Sequence, residues 1–120
     1  MKHTPNHAFT ARAAPGEHFT GLVWMEPQAP GVVRVTFTPG ARTAWHTHPQ
    51  GQILLILGGR GRVQLRGAAA FDVGAGDVVQ IDPGEEHWHG AAPDALMTHL
   101  AIQAGETVWL GQVTDGQYGP

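Results

Sequence analysis

The chain of 120 residues contains no cysteine, so neither a disulfide framework nor a thiolate metal site is open to it. That absence fits a reducing cytoplasm, where the protein is expected to reside. No apolar run approaches the ~20 residues of a membrane-spanning helix. The longest, Ile53-Leu54-Leu55-Ile56-Leu57, has the length of a strand. The opening Met1-Lys2-His3-Thr4-Pro5-Asn6 lacks the apolar stretch of a secretion signal. Charge is scarce as well: charged residues make up 14% and the formal net charge is −3, which offers nothing to nucleic acid or an anionic membrane. Arg60, Arg62 and Arg66 are the one loose basic cluster, and they read as a solvated strand edge. Also missing is any segment with apolar residues at helical spacing over three turns.

What is present is turn chemistry. Seventeen Gly and nine Pro break the chain into short β-branched and aromatic runs. Strands are expected near 19–26, 32–38, 43–47, 52–57, 62–65, 70–73, 78–81, 87–90, 96–103 and 107–113. This spacing predicts an all-β sandwich or barrel. The length suits a single domain over 1–120, with its core at about 19–113. The ends, before Glu17 and after Thr114, read as extended arms lying on the barrel or on a second subunit. Sheet edges and outward aromatics such as Trp24 and Trp109 need cover, so a homodimer or homotetramer is expected.

The eight histidines decide the chemistry. Trp45-His46-Thr47-His48 puts two imidazoles at i and i+2, on one face of a strand. After the turn Pro49-Gln50-Gly51, Gln52 opens the next strand and can return to the same place. Glu86-His87-Trp88-His89 repeats the device, and His99 shares a face with Met97, Ala101 and Gln103. Five inward imidazoles need partners, because a buried unpaired polar group costs about 1–3 kcal/mol. One transition-metal ion satisfies several of them at once. His3, His7 and His18 sit in the N-terminal arm and read as solvated; Trp45 and Trp88 are out of phase with the ligands and should pack between sheets or across a subunit contact.

The segment Gly40-Ala-Arg-Thr-Ala-Trp-His46-Thr-His48-Pro-Gln-Gly-Gln52, closing at Gly58, resembles the first cupin motif. Gly76-Asp-Val-Val-Gln-Ile-Asp-Pro83-Gly84-Glu-Glu-His87 resembles the second. The resemblance implies a small single-domain cupin, a double-stranded β-helix or jelly-roll barrel. Three positions depart from the motifs: Gln52 stands where Glu is usual, Pro83 lies directly beside Gly84, and Ala91 replaces a frequent Asn. A narrower similarity, over most of 33–118 and sharing the glutamine, is to the bacterial cupin-type hydroxynitrile lyases. It implies one divalent ion, Mn²⁺ first, with Fe²⁺, Zn²⁺, Ni²⁺ or Co²⁺ as alternatives. His46, His48, Gln52 and His87 are its implied ligands, with His89 and His99 doing chemistry beside it.

Three neutral imidazoles and an amide leave the ion's charge uncompensated, which strengthens it as a Lewis acid and weakens its retention. The activity expected is reversible cleavage of a mandelonitrile-like cyanohydrin to an aldehyde and hydrogen cyanide. His99 is the candidate base and His89 the group that hydrogen-bonds or protonates cyanide, with the two roles exchangeable. Val33, Val35, Phe37, Met97, Ala101 and Gln103 are expected to wall the substrate pocket. Two other readings are an Fe(II) dioxygenase and a non-enzymatic ligand-binding cupin.

Overall fold

Alternating runs between the Gly and Pro turns form twelve strands in the computed structural model, which describes Met1–Pro120. In chain order they are β1 (Arg12–Ala13), β2 (Phe19–Thr20), β3 (Val23–Ala29), β4 (Val32–Phe37), β5 (Arg42–Thr43) and β6 (His46–Thr47). There follow β7 (Gln52–Leu65), β8 (Phe71–Gly74), β9 (Val78–Ile81), β10 (His87–Ala91), β11 (Met97–Ile102) and β12 (Val108–Trp109). Every pairing is antiparallel, and the curled sheet is the small all-β barrel expected of a cupin. One half runs β1-β3-β4-β11-β7-β9; the other joins β8, β7, β10, β5, β2, β6 and β12. No helix is long and apolar enough to cross a membrane.

Strand β7 belongs to both halves. Residues 52–56 with Gly58 and Gly59 pair with β9 or β11, and residues 60–65 with β8 or β10. Gly58-Gly59, read from sequence as a turn, is instead a bulge inside this strand. Opposite Thr98 and His99 the register passes from Gly58 to Ile56, leaving Leu57 unpaired. The extra residue shifts the alternation: Gln52, Leu54 and Ile56 point inward before it, Gly61 and Val63 after it. Gly59 adopts φ +75°, and a Cβ there would collide with the Leu96 carbonyl. Only glycine allows β11 to cross so closely.

The main core includes Phe37, Leu54, Ile56, Val63 and Met97, each 2% exposed or less. Burying such a side chain contributes about 1.5–3 kcal/mol. A second cluster, Trp45, Trp88, Val113 and Tyr118, lies on the outer side of the histidine strands. Here the C-terminal arm departs from expectation. Residues Asp115–Tyr118 form a short helix, α1, closed by a reciprocal capping box between Thr114 and Gln117. The Tyr118 ring lies between the guanidiniums of Arg42 and Arg62, 4.7 and 4.8 Å from its centre. Its hydroxyl donates to the Ala91 carbonyl at 2.6 Å. Of the basic cluster, Arg62 departs from a solvated edge, since it clasps the C-terminus; Arg66 stays exposed while its guanidinium lies over the Trp45 ring at 4.4 Å. Arg60 and Arg66 match the expectation: both are exposed, beside Asp94 and Glu86. The N-terminal arm lies on its own barrel through the β1–β3 pairing. The segments 43–47 and 107–113 are shorter strands than expected, broken by Ala44-Trp45 and ending at Trp109.

Candidate metal centre

Strands β6, β7, β10 and β11 bring His46, His48, Gln52, His87, His89 and His99 together, each 5% exposed or less. Alternation accounts for the aim of the side chains, and pairing for their meeting. His46 lies opposite His87 in the β6–β10 register, with ring centres 4.2 Å apart. His48 lies 4.9 Å from His46, and His89 lies 5.2 Å from it. His99 reaches in from β11, 4.8 Å from His89.

Hydrogen bonds then settle which ring atoms face inward. The Nδ1–H of His46 donates to the Ala44 carbonyl at 2.8 Å, and that of His87 to the Glu85 carbonyl at 2.9 Å. A carbonyl only accepts, so each of these neutral rings presents a bare Nε2 lone pair to the centre. Gln52 Nε2 donates to Gln103 Oε1 at 2.6 Å, which turns Gln52 Oε1 inward. That oxygen sits 3.0 Å from His87 Nε2. Two acceptors face one another with no proton between them, an arrangement a cation would relieve. Their spacing matches neighbouring vertices of an octahedron with ~2.1 Å bonds. His48 Nε2, His89 Nε2 and His99 Nδ1 are buried without any partner. The donor set therefore fits a divalent ion.

Two overlapping ligand sets are on offer. His46, His87 and His89 present nitrogens within 4.8 Å of one another. The set expected from sequence replaces His89 by His48 and adds Gln52. The contact between His99 Nε2 and His89 Nδ1, at 3.0 Å, discriminates between them. If His99 donates, His89 carries its remaining proton on Nε2 and cannot ligate. If His89 donates, its Nε2 is bare and can.

Burial depresses every ring pKa, with repulsion from neighbouring imidazoles adding to it at His46, His48 and His89. His48 and His99 are lowered to about 4, and His87 is lowered too. Unfolded imidazoles bind protons below about pH 6.5, whereas folded His48 and His99 resist until about 4 and the other three rings are shifted in the same direction. The unfolded state thus holds more protons across that window, and stability falls as pH drops through it. The melting temperature of metal-free protein is expected to hold above about pH 6.5 and fall steeply toward pH 4.5. A flat profile would mean that the rings are not buried and neutral.

Beside the histidines lies a cavity of about 90 Å³, which takes only a small molecule. Val33, Val35, Phe37, Ala101 and Gln103 line it together with His89 and His99. Met97 does not: it is fully buried in the core, its side chain against Gly61. Alternation put Met97 on the correct face but could not show that the cavity ends before it. Phe19, Met25, Thr43, Thr107 and Trp109 complete the wall. Trp109, expected to point outward, packs 5.0 Å from His46 and stacks on His18 at 4.5 Å. His18 is accordingly half-buried rather than free in solvent. Nothing in the local sequence marked these residues as cavity wall, because they come from β2, β3, β5 and the segment after β11, which only the strand pairing brings together.

The family description for a cupin domain matches residues 33–103. The chain belongs to the cupin family. This cupin is 52% identical over 115 residues to an (R)-mandelonitrile lyase from Granulicella tundricola, covering 87% of this chain and 88% of that protein. A cupin-like protein from Thermotoga maritima superimposes with a TM-score of 0.86 at 42% identity, over 88% and 89% of the two chains. A predicted oxalate decarboxylase from the same organism, at 22% identity and a TM-score of 0.76, shares the fold over 91% of this chain and 100% of its own.

Proposed function

We propose that this cupin is a metal-dependent hydroxynitrile lyase, cleaving a mandelonitrile-like cyanohydrin reversibly to an aldehyde and hydrogen cyanide. The observation that carries the reading is the His89–His99 contact in the wall of a cavity beside a metal-competent centre. The 52% identity to a mandelonitrile lyase supports it. His46, His48, Gln52 and His87 hold one divalent ion, most simply Mn²⁺. When bound, that ion supplies Lewis acidity toward the substrate's hydroxyl oxygen.

The protein's own part is to move one proton. With His99 Nε2–H donating to His89 Nδ1, His99 Nδ1 offers a lone pair and His89 Nε2 a proton, both otherwise unpartnered. His99 Nδ1 takes the hydroxyl proton, His99 passes its Nε2 proton to His89, and His89 gives its own to the departing cyanide. The O–H and C–CN bonds break while C=O and H–CN form. Both rings end neutral with their tautomers exchanged. A single histidine acting as base would have to become charged, which burial opposes by lowering His99 to about 4. A relay avoids that charge. Val33, Val35, Phe37 and Ala101 exclude water and hold the apolar part of the substrate.

Mandelonitrile cleavage should be measured with native protein, chelator-treated protein and protein reloaded with Mn²⁺, in air and without oxygen. Activity is expected to vanish on chelation, return on reloading and ignore oxygen. Loss of turnover without oxygen would overturn the lyase reading in favour of a dioxygenase.

A further inference from the structure

Gln52 poses a problem that a glutamate there would not. The two oxygens of a carboxylate are equivalent, so either can face a cation. An amide has one acceptor end and one donor end of nearly equal size, and packing cannot tell them apart. With its NH₂ group inward, Gln52 would present hydrogens to the cation and lose a ligand. Some other group must decide which end points in.

We infer that Gln103 is the positioning residue that orients the Gln52 amide, so that a cupin with glutamine at this ligand position retains its metal. Gln103 Oε1 accepts from Gln52 Nε2 at 2.6 Å, the shortest side-chain contact around the centre. A carbonyl oxygen has no proton to give, so it can only hold the NH₂ end and thereby turns Gln52 Oε1 toward His87. The other end of Gln103 is occupied as well: its Nε2 donates to Thr107 Oγ1 at 3.4 Å. Thr107 Oγ1 lies 3.4 Å from His48 Nδ1. Two residues that follow β11 thus reach two of the proposed ligands, Gln52 and His48. Gln52 is 5% exposed, so water has little access to replace the missing partner.

This inference rests on the metal reading above and predicts a dependence on the partner residue. Gln103→Met keeps length and shape while removing the acceptor. In the otherwise native chain it should weaken Mn²⁺ binding roughly 10–100-fold, as loss of a ligand's supporting hydrogen bond does. In a Gln52→Glu background, where neither oxygen needs selecting, the same change should cost less than about threefold.

The experiment is a titration of metal-stripped protein with Mn²⁺, read as free Mn²⁺ by electron paramagnetic resonance, on the native chain, both single variants and the double variant. Thermal unfolding of each metal-free protein checks that the barrel is intact, and Gln103→Leu replaces the methionine variant if that one fails to fold. A large loss confined to the Gln52 background supports the assignment. Equal losses in both backgrounds, or none in either, overturn it. A native chain that binds no Mn²⁺ overturns the metal reading itself, and this inference with it.

Discussion

Alanine at His99 is expected to lower cyanohydrin cleavage by roughly 10²–10⁴-fold, the usual consequence of losing a positioned acid or base, while metal content stays near the parent level. His89→Ala should do the same. The relay makes a stronger demand on the double variant. Because one proton passes through both rings, removing either breaks the whole path, and removing both should cost little more than removing one. Multiplicative losses would mean that the two rings act separately. Metal analysis of His89→Ala adds a second decision. Metal loss as large as that from His46→Ala would make His89 a ligand, requiring the opposite direction for the His89–His99 hydrogen bond. His99 could then no longer be the base, since its Nδ1 would carry a proton.

His46→Ala and His87→Ala are each expected to strip nearly all of the bound ion and to take turnover to background. These two rings are locked by backbone carbonyls, so their Nε2 lone pairs are the most rigid donors at the centre. His48→Ala should also release metal, because its Nε2 is buried and has no alternative partner. The barrel itself should survive, since the main apolar core contains none of the three histidines. Metal quantification paired with thermal unfolding separates the two effects. Full occupancy in all three variants would refute the centre. Unfolding of all three would show that the histidines hold the barrel together rather than the metal.

The period-2 alternation in 45–48 and 86–89 was enough to set His46, His48, His87 and His89 inward, because successive strand residues must face opposite sides. The strands around them were legible for the same reason, wherever Gly or Pro marked their ends. Two kinds of information were not local. Gly58-Gly59 has the composition of a turn, yet β7 runs through it, because the approach of β11 at Leu96 rewards a bulge over a reversal. The wall of the cavity likewise depends on which distant segments fold over it, so Trp109 was misplaced and Thr107 unseen. The C-terminal segment read as an extended arm rather than a docked helical turn because its partners, Arg42, Arg62, Trp45 and Trp88, are far away in the chain.

Residue types and strand alternation alone specify which side chains carry lone pairs, that several of them share inward faces, and that no thiolate is available. How those atoms are used is set by the hydrogen bonds of the folded chain, among them contacts between segments distant in sequence. The Ala44 and Glu85 carbonyls choose the tautomers of His46 and His87, Gln103 turns the amide of Gln52, and the contact between β10 and β11 couples His89 to His99. The reason is that a hydrogen bond depends on the distance and direction between two atoms. In a barrel built from long-range strand pairs, the chain's linear order sets neither.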